Sequence, residues 1–180
     1  MATLEKSGSK GRVGGAKRRG ATLAKSAAMT VIPDVGKRAP KVGKLTLYTR
    51  MGRLLGERIE SERDLVRIVG VGLPSTALDR LIDEIDIDVR LIGPETTVRR
   101  RMQNKQQFTV DESERLVRLA RITSMAEELF GDTQAAAAWL RAQTNYLPDS
   151  EPISPLELSQ TDSGARLVEG LMLQTAHGIF

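Results

Sequence analysis

Apolar side chains recur every three or four residues along residues 108–131, which is the spacing of one helical face. Thr109 and Glu112 have the spacing of a capping box, and Gly131 suits the left-handed residue that ends many helices. We therefore expect one long helix with neighbours packed along both of its halves. Its apolar stripe consists of Leu116, Leu119, Ala120, Ile122, Thr123, Ala126, Leu129 and Phe130.

Shorter amphipathic helices are predicted before the long one. Residues 61–69 begin with a serine, which is a good N-cap, and residues 75–85 carry apolar residues at helical spacing. Residues 45–60 contain two glycines, which lower helix propensity. That range is therefore predicted to be a linker or a weak helix.

A helix-turn-helix pattern is predicted within residues 61–107. Residues 86–92 suit a short helix or turn, Gly93 ends that element, and Pro94 suits the first position of the next helix. The second helix of such a motif enters the major groove, where arginine matches guanine and glutamine matches adenine. The competing interpretation is an ordinary helix with a solvated charged face. The residues assigned to DNA binding are Thr96, Thr97, Arg99, Arg100, Arg101, Gln103 and Lys105.

Two further helices are predicted downstream, over residues 133–142 and 162–175, with the second one's buried face formed by Ala165, Val168, Leu171 and Met172. A proline-containing loop and a short PLELS turn connect them. The sequence then closes on Ile179 and Phe180, two large apolar residues. One hypothesis is that they enter a cavity of a partner protein, and the other is that they pack on this chain's own core.

Positive charge is concentrated at the start of the chain. Residues 1–44 contain 11 Lys/Arg and 2 acidic residues, a net charge of +9, whereas residues 45–180 contain 16 Lys/Arg and 21 acidic residues, a net charge of −5. The composition of residues 1–44 predicts a disordered basic arm, because it offers little apolar surface to offset chain entropy. The arm could contact phosphates, act as a solubilising tail, result from a mis-assigned start codon, or be a transit peptide.

The composition argues against several chemistries. The sequence has no Cys and 1 His, which excludes thiolate and multi-histidine metal sites. It contains no Gly-rich phosphate loop, zinc-protease motif or nucleophile elbow. No apolar run approaches the length of a membrane span. We therefore expect a cytoplasmic protein that is not an enzyme and needs no cofactor.

An ordered series of motifs runs through the second part of the chain: FTVDESERLVRLARI, AEELFGD, AAWL, SPLEL and GARLVEGLMLQTAHGIF. GLPSTALDRL and ETTVRRRM precede it. Together these motifs, over residues 61–180, resemble the antitoxins of the Xre/MbcA/ParS type, the partners of RES-domain toxins. The resemblance implies an all-helical fold. An Xre-like helix-turn-helix half would be followed by a small helical half, residues 108–180, for toxin binding and dimerisation.

The resemblance also implies a mechanism. A homodimeric antitoxin of this type represses its operon through operator DNA, and its C-terminal segment occludes the active site of an NAD-consuming RES toxin. Two alternatives remain: a helix-turn-helix regulator whose second half only dimerises, and a toxin-binding module with vestigial DNA reading. Departures from the pattern include the short stretch 85–92 and a loop, 145–154, without the usual Gly-Gly. The residues assigned to toxin binding are Arg166, Glu169, His177, Gly178, Ile179 and Phe180.

Overall fold

The computed structural model describes residues 46–147 and 151–176, which belong to one compact unit. Within these residues the chain is helical and contains no strand, which confirms the all-α prediction. The predicted basic arm, residues 1–44, lies outside the described residues. The helices are α1 (Leu47–Leu55), α2 (Glu62–Val71), α3 (Ser75–Ile85), α4 (Glu95–Gln103), α5 (Val110–Phe130), α6 (Thr133–Arg141), α7 (Pro155–Leu158) and α8 (Asp162–Ala176), with a 3₁₀ turn at Val89–Leu91.

Helix α5 is the long helix that the sequence predicts, and it packs against α1, α2, α3, α6 and α8. Its capping box is present: the Thr109 backbone N–H donates to the Glu112 carboxylate over 2.8 Å, and the Glu112 N–H donates to the Thr109 hydroxyl over 3.3 Å. Gly131 ends the helix with φ 68°, in the left-handed region. The predicted caps and stripe are therefore confirmed.

Helix α1 occupies the range predicted to be a linker or a weak helix, and its apolar face is buried. The two glycines of this range have structural roles. Gly56 is the left-handed C-cap, with φ 71°, and a Cβ on Gly52 would lie 2.6 Å from the Glu57 carbonyl oxygen. Both glycines are needed for the tight turn that ends α1. Their low helix propensity does not prevent the helix, because Gly56 lies at its end and the buried apolar face stabilises it.

An ion-pair cluster attaches α1 to the rest of the core. The Arg53 guanidinium donates to both oxygens of Glu127 in α5, over 2.7 and 2.9 Å, and to Glu84 in α3, over 2.6 Å. The Glu127 side chain is only 5% exposed, whereas the Arg53 side chain is 45% exposed. The cluster therefore satisfies a buried carboxylate near the carboxyl end of α5 and holds three helices together.

The connections before α5 agree with most of the predictions. Ser61 and Asp64 form a capping box at the start of α2. The range predicted to be a short helix or turn contains the 3₁₀ turn. Pro94 is the N-cap of α4 and not its first residue, a shift within the uncertainty of helix ends. Ser113 is buried and accepts a hydrogen bond from the Leu73 N–H over 2.9 Å, so the α2–α3 turn is fixed to α5.

Candidate partner-binding surfaces

Helix α4 carries the residues predicted to contact DNA. Its only buried residue is Val98, which is 0% exposed and anchors the helix to the core. Thr96, Arg99, Arg100, Gln103 and Lys105 are exposed, and Thr97 and Arg101 are half-buried. The predicted set therefore covers the outer surface of α4 and its C-terminal turn, except for these two residues.

The three consecutive arginines of α4 have different surroundings. Arg99 pairs with Glu95 one turn earlier, over 2.8 Å. The Arg101 Nε lies 3.2 Å from the Glu112 carboxylate without the alignment of a hydrogen bond, and its Nη1 donates to the Gln107 carbonyl over 3.3 Å. Among the described residues, Arg100 has no ion-pair partner. Arg100 is thus the arginine best placed to meet a ligand, whereas Arg101 fixes α4 to the first turn of α5.

Acidic residues lie beside the start of α4. A shallow cleft of about 400 Å³ is lined by Asp86, Asp88, Glu95 and Arg99, among others. Asp88 accepts hydrogen bonds from the side chain and backbone N–H of Arg90, which lower the pKa of its carboxyl group. Asp88 and Glu95 therefore pair with Arg90 and Arg99, and the pair with Glu95 partly neutralises the positive charge of Arg99 at this end of the helix.

Lys105 follows the carboxyl end of α4 in an unusual conformation. Its φ is 51°, in the left-handed region that glycine adopts far more easily. The Gln106 N–H donates to the Arg101 carbonyl and the Lys105 N–H donates to the Met102 carbonyl, the pattern of a Schellman cap. The chain therefore has an exposed lysine at a position where glycine would be less strained, and backbone strain of this kind is common at functional sites.

Helix α8 carries the described part of the predicted toxin-binding set. Arg166 is exposed and pairs with Asp162 over 3.0 Å, and Glu169 is half-buried. Both line a polar groove of about 500 Å³ between α8 and α5, together with Glu62, Glu114, Val117, Arg118, Arg121, Asp162 and Ala165. The structure therefore brings Arg166 and Glu169 to one surface. The predicted residues His177, Gly178, Ile179 and Phe180 lie outside the described residues.

Two outward-facing leucines of α8 were not included in the sequence-based site. Ala165, Val168 and Met172 are buried as predicted, whereas Leu171 is only half-buried. Leu167 and Leu173 are 37% and 54% exposed, and they lie on the outward side of the helix. Helical periodicity alone could have identified these two leucines, because they fall away from the buried stripe.

A second groove between α5 and α8 is mainly apolar. It has a volume of about 630 Å³ and is lined by Met125, Glu128, Leu129, Met172, Leu173, Thr175 and Ala176. Methionines and leucines at a groove suit contact with another protein, because these side chains adapt to varied apolar surfaces. The carboxyl half of α8 therefore offers an apolar contact surface immediately before residue 177.

The described residues provide no group of His, Cys, Asp or Glu that could hold a metal ion. In the same part of the chain, no helix has both the length and the apolar character needed to cross a membrane.

Comparison with known proteins identifies relatives of this chain, although no protein-family model matches it. It is 34% identical over 134 residues to "Antitoxin Xre" of Photorhabdus laumondii, a match that covers 71% of this chain and 88% of the relative. "Antitoxin Xre" of Pseudomonas putida is 38% identical over 87 residues, and that of Yersinia enterocolitica is 35% identical over 88 residues. Those two matches each cover 48% of this chain and 53% and 57% of the relatives, so the chain matches little more than half their length. The extensive match to the Photorhabdus protein shows that this chain belongs to the Xre antitoxin family.

Proposed function

We propose that this protein neutralises a RES-type, NAD-consuming toxin through α8 and residues 177–180, and that it acts in the cytoplasm without enzymatic activity of its own. The observation that carries the proposal is the outward surface of α8, where Leu167 and Leu173 are exposed. In the sequence, α8 is followed directly by the HGIF segment of the family-like motif. An apolar surface of this kind is suited to burial against another protein.

Two kinds of contact would hold the toxin. Leu173 and the apolar groove supply area whose burial contributes about 25 cal/mol per Å². Arg166 and Glu169 border the polar groove and supply charges that fix the orientation of the partner. Ile179 and Phe180 would then enter the toxin's NAD-handling site and block it sterically, so the antitoxin itself would need no cofactor.

The test uses the full-length antitoxin and the toxin encoded by the neighbouring gene. Deletion of residues 176–180 should abolish neutralisation of the toxin's NAD-consuming activity, while the helical circular dichroism stays unchanged. Leu173→Asp should weaken complex formation by about tenfold or more, as for a central apolar contact. Val110→Asp is the matched control, because Val110 is 49% exposed but lies at the start of α5. A truncated protein that neutralises fully would refute insertion of this segment.

We also propose that a homodimer of this antitoxin binds operator DNA through α4 and represses its own operon. Arg100 and Lys105 are exposed and support this assignment. Arg99→Ala combined with Arg100→Ala should weaken operator binding by about 1–3 kcal/mol for each direct base contact that is lost. Unchanged operator affinity at fixed salt would contradict the proposal.

A second candidate function is a toxin-binding module with little DNA reading. It is favoured by the 3₁₀ turn, Val89–Leu91, which stands where a helix-turn-helix motif has a full helix, and by the ion pair with Glu95 that occupies Arg99. Affinity for operator and for random DNA, measured at two salt concentrations, separates the two candidates. Equal affinities with a steep salt slope indicate purely electrostatic binding. A regulator that only dimerises through its second half would instead fail to co-purify with the neighbouring toxin.

A further inference from the structure

Helix α2 has an outward face that none of the proposed functions uses. We call it the α2 face, and its residues are Arg63, Val66, Arg67, Gly70 and Val71, all of which are exposed. Val66 and Val71 are 70% and 66% exposed, and no other large apolar residue in the described part of the chain is as exposed. The buried side of the same helix is formed by Leu65, Ile68 and Val69, so α2 is already anchored to the core.

Gly70 has no structural role within the described chain that requires a glycine. A Cβ at this position would meet no atom within 4 Å, and the residue keeps ordinary helical backbone. Glycine lowers helix stability relative to alanine, and no close contact at Gly70 compensates for that cost. A small residue between exposed valines allows the backbone of another helix to approach closely.

The charge of the α2 face selects the kind of partner. Among the described residues Arg63 has no ion-pair partner, and Arg67 lies 3.7 Å from Asp64 in a pair whose arginine side chain is 67% exposed. The basic arm, with its net charge of +9, would be repelled from this face. A symmetric contact with a second copy would bring the same arginines together, which is also unfavourable. Arg63 is therefore available to an acidic partner, and the exposed Arg67, which has only a 3.7 Å pair with Asp64, can join it.

From these observations we propose that the α2 face docks an acidic amphipathic helix of another protein. The apolar side of that helix would cover Val66 and Val71, its backbone would pass over Gly70, and its carboxylates would pair with Arg63 and Arg67. Burial of valines distinguishes this arrangement from phosphate binding, which would use the arginines alone.

The test uses full-length, ¹⁵N-labelled protein and a synthetic helical peptide with glutamates on one face and leucines on the other. The control peptides have lysine in place of glutamate, or the same composition in scrambled order. Backbone amide shifts should change at residues 62–71 with the acidic amphipathic peptide only. Gly70→Leu should weaken binding by about tenfold or more without lowering Tm, because leucine is the better helix former. Gly170→Leu is the matched control, since a Cβ there also meets nothing within 4 Å, and it should leave the affinity unchanged.

Three outcomes would overturn the proposal. The first is an equal response to the acidic and scrambled peptides. The second is a double-stranded DNA of random sequence that shifts the same amides and is weakened by Arg63→Ala with Arg67→Ala, which would make the α2 face a phosphate-binding surface. The third is a change in sedimentation of the free protein on Val66→Asp, which would make it a contact between copies.

Discussion

Gly164→Ala tests how α8 is positioned against the preceding helix. A Cβ on Gly164 would lie 1.9 Å from the Leu158 carbonyl oxygen, 2.8 Å from its carbonyl carbon and 3.0 Å from the Thr161 hydroxyl oxygen. Two of these atoms belong to the backbone at the end of α7, so no side-chain rotation can relieve the contact. We expect this substitution to displace the start of α8 from α7.

The magnitude follows from that geometry. The Cβ–oxygen distance would have to open from 1.9 Å to at least 3.0 Å, which also strains the Ala165 N–H bond to the Thr161 carbonyl, 3.0 Å long in the wild type. Overpacking of this kind costs about 1–3 kcal/mol. At about 2–4 °C per kcal/mol for a protein of this size, thermal unfolding should shift down by about 2–12 °C. Circular dichroism and urea denaturation measure the effect.

Gly170→Ala is the matched control on the same helix. A Cβ at this position meets no atom within 4 Å, and alanine is the better helix former, so stability should rise by up to about 1 kcal/mol. The two substitutions should therefore change stability in opposite directions. If Gly164→Ala is as stable as the wild type, the close approach of the α7 backbone to α8 is wrong, and the surface proposed to contact the toxin is misplaced.

Three further predictions concern the core, the DNA surface and the pH dependence. Arg53→Ala should lower the free energy of unfolding, measured in urea, by about 1–3 kcal/mol, because the buried Glu127 loses its charged partner, and the partial exposure of Arg53 limits the effect. Arg58→Ala is the control and should change little, because its ion pair with Glu60 is exposed to solvent. Lys105→Gly should gain up to about 1 kcal/mol in stability by removing left-handed strain, yet weaken duplex binding and reduce its salt slope by about 1. Hydrogen bonds from the Ser154 N–H and hydroxyl lower the pKa of Glu157. The ionised Glu157 carboxylate therefore contributes to the free energy of unfolding at pH values above the ordinary carboxyl pKa, and this contribution is lost as the pH falls through the lowered pKa. The wild type should accordingly lose more stability than Glu157→Gln between about pH 5 and pH 3.

Local signals in the sequence predict much of the fold. Helix caps depend on short-range geometry, so three or four adjacent residues are enough to predict them. Examples are the capping boxes at Thr109 and Ser61 and the left-handed Gly131. Helical periodicity likewise predicts the buried face of α8, apart from the half-buried Leu171. The elements could therefore be predicted one by one.

Long-range contacts could not be predicted in the same way. Arg101 has the same side chain as Arg100, but it faces Glu112, which lies on a different helix, so only the packing angle of α4 distinguishes a structural arginine from an exposed one. Gly52 lowers helix propensity locally, yet the Glu57 carbonyl requires it. The α1–α5 ion pair joins residues 53 and 127, a separation across which no short-range pattern extends.

The position of α5 explains why the first helices are needed even if the proposed contact with a toxin is made mainly through α8. Helices α1, α2 and α3 cover α5 on the sides that α6 and α8 leave open, so Leu116, Leu119 and Ile122 are at most 1% exposed. Without the first helices these side chains would face water, at about 1.5–3 kcal/mol for each one that becomes fully exposed. The first three helices thus have a structural role that does not depend on DNA binding. A substitution confined to the exposed residues of α4 should therefore leave intact the α8 surface that we propose contacts a toxin.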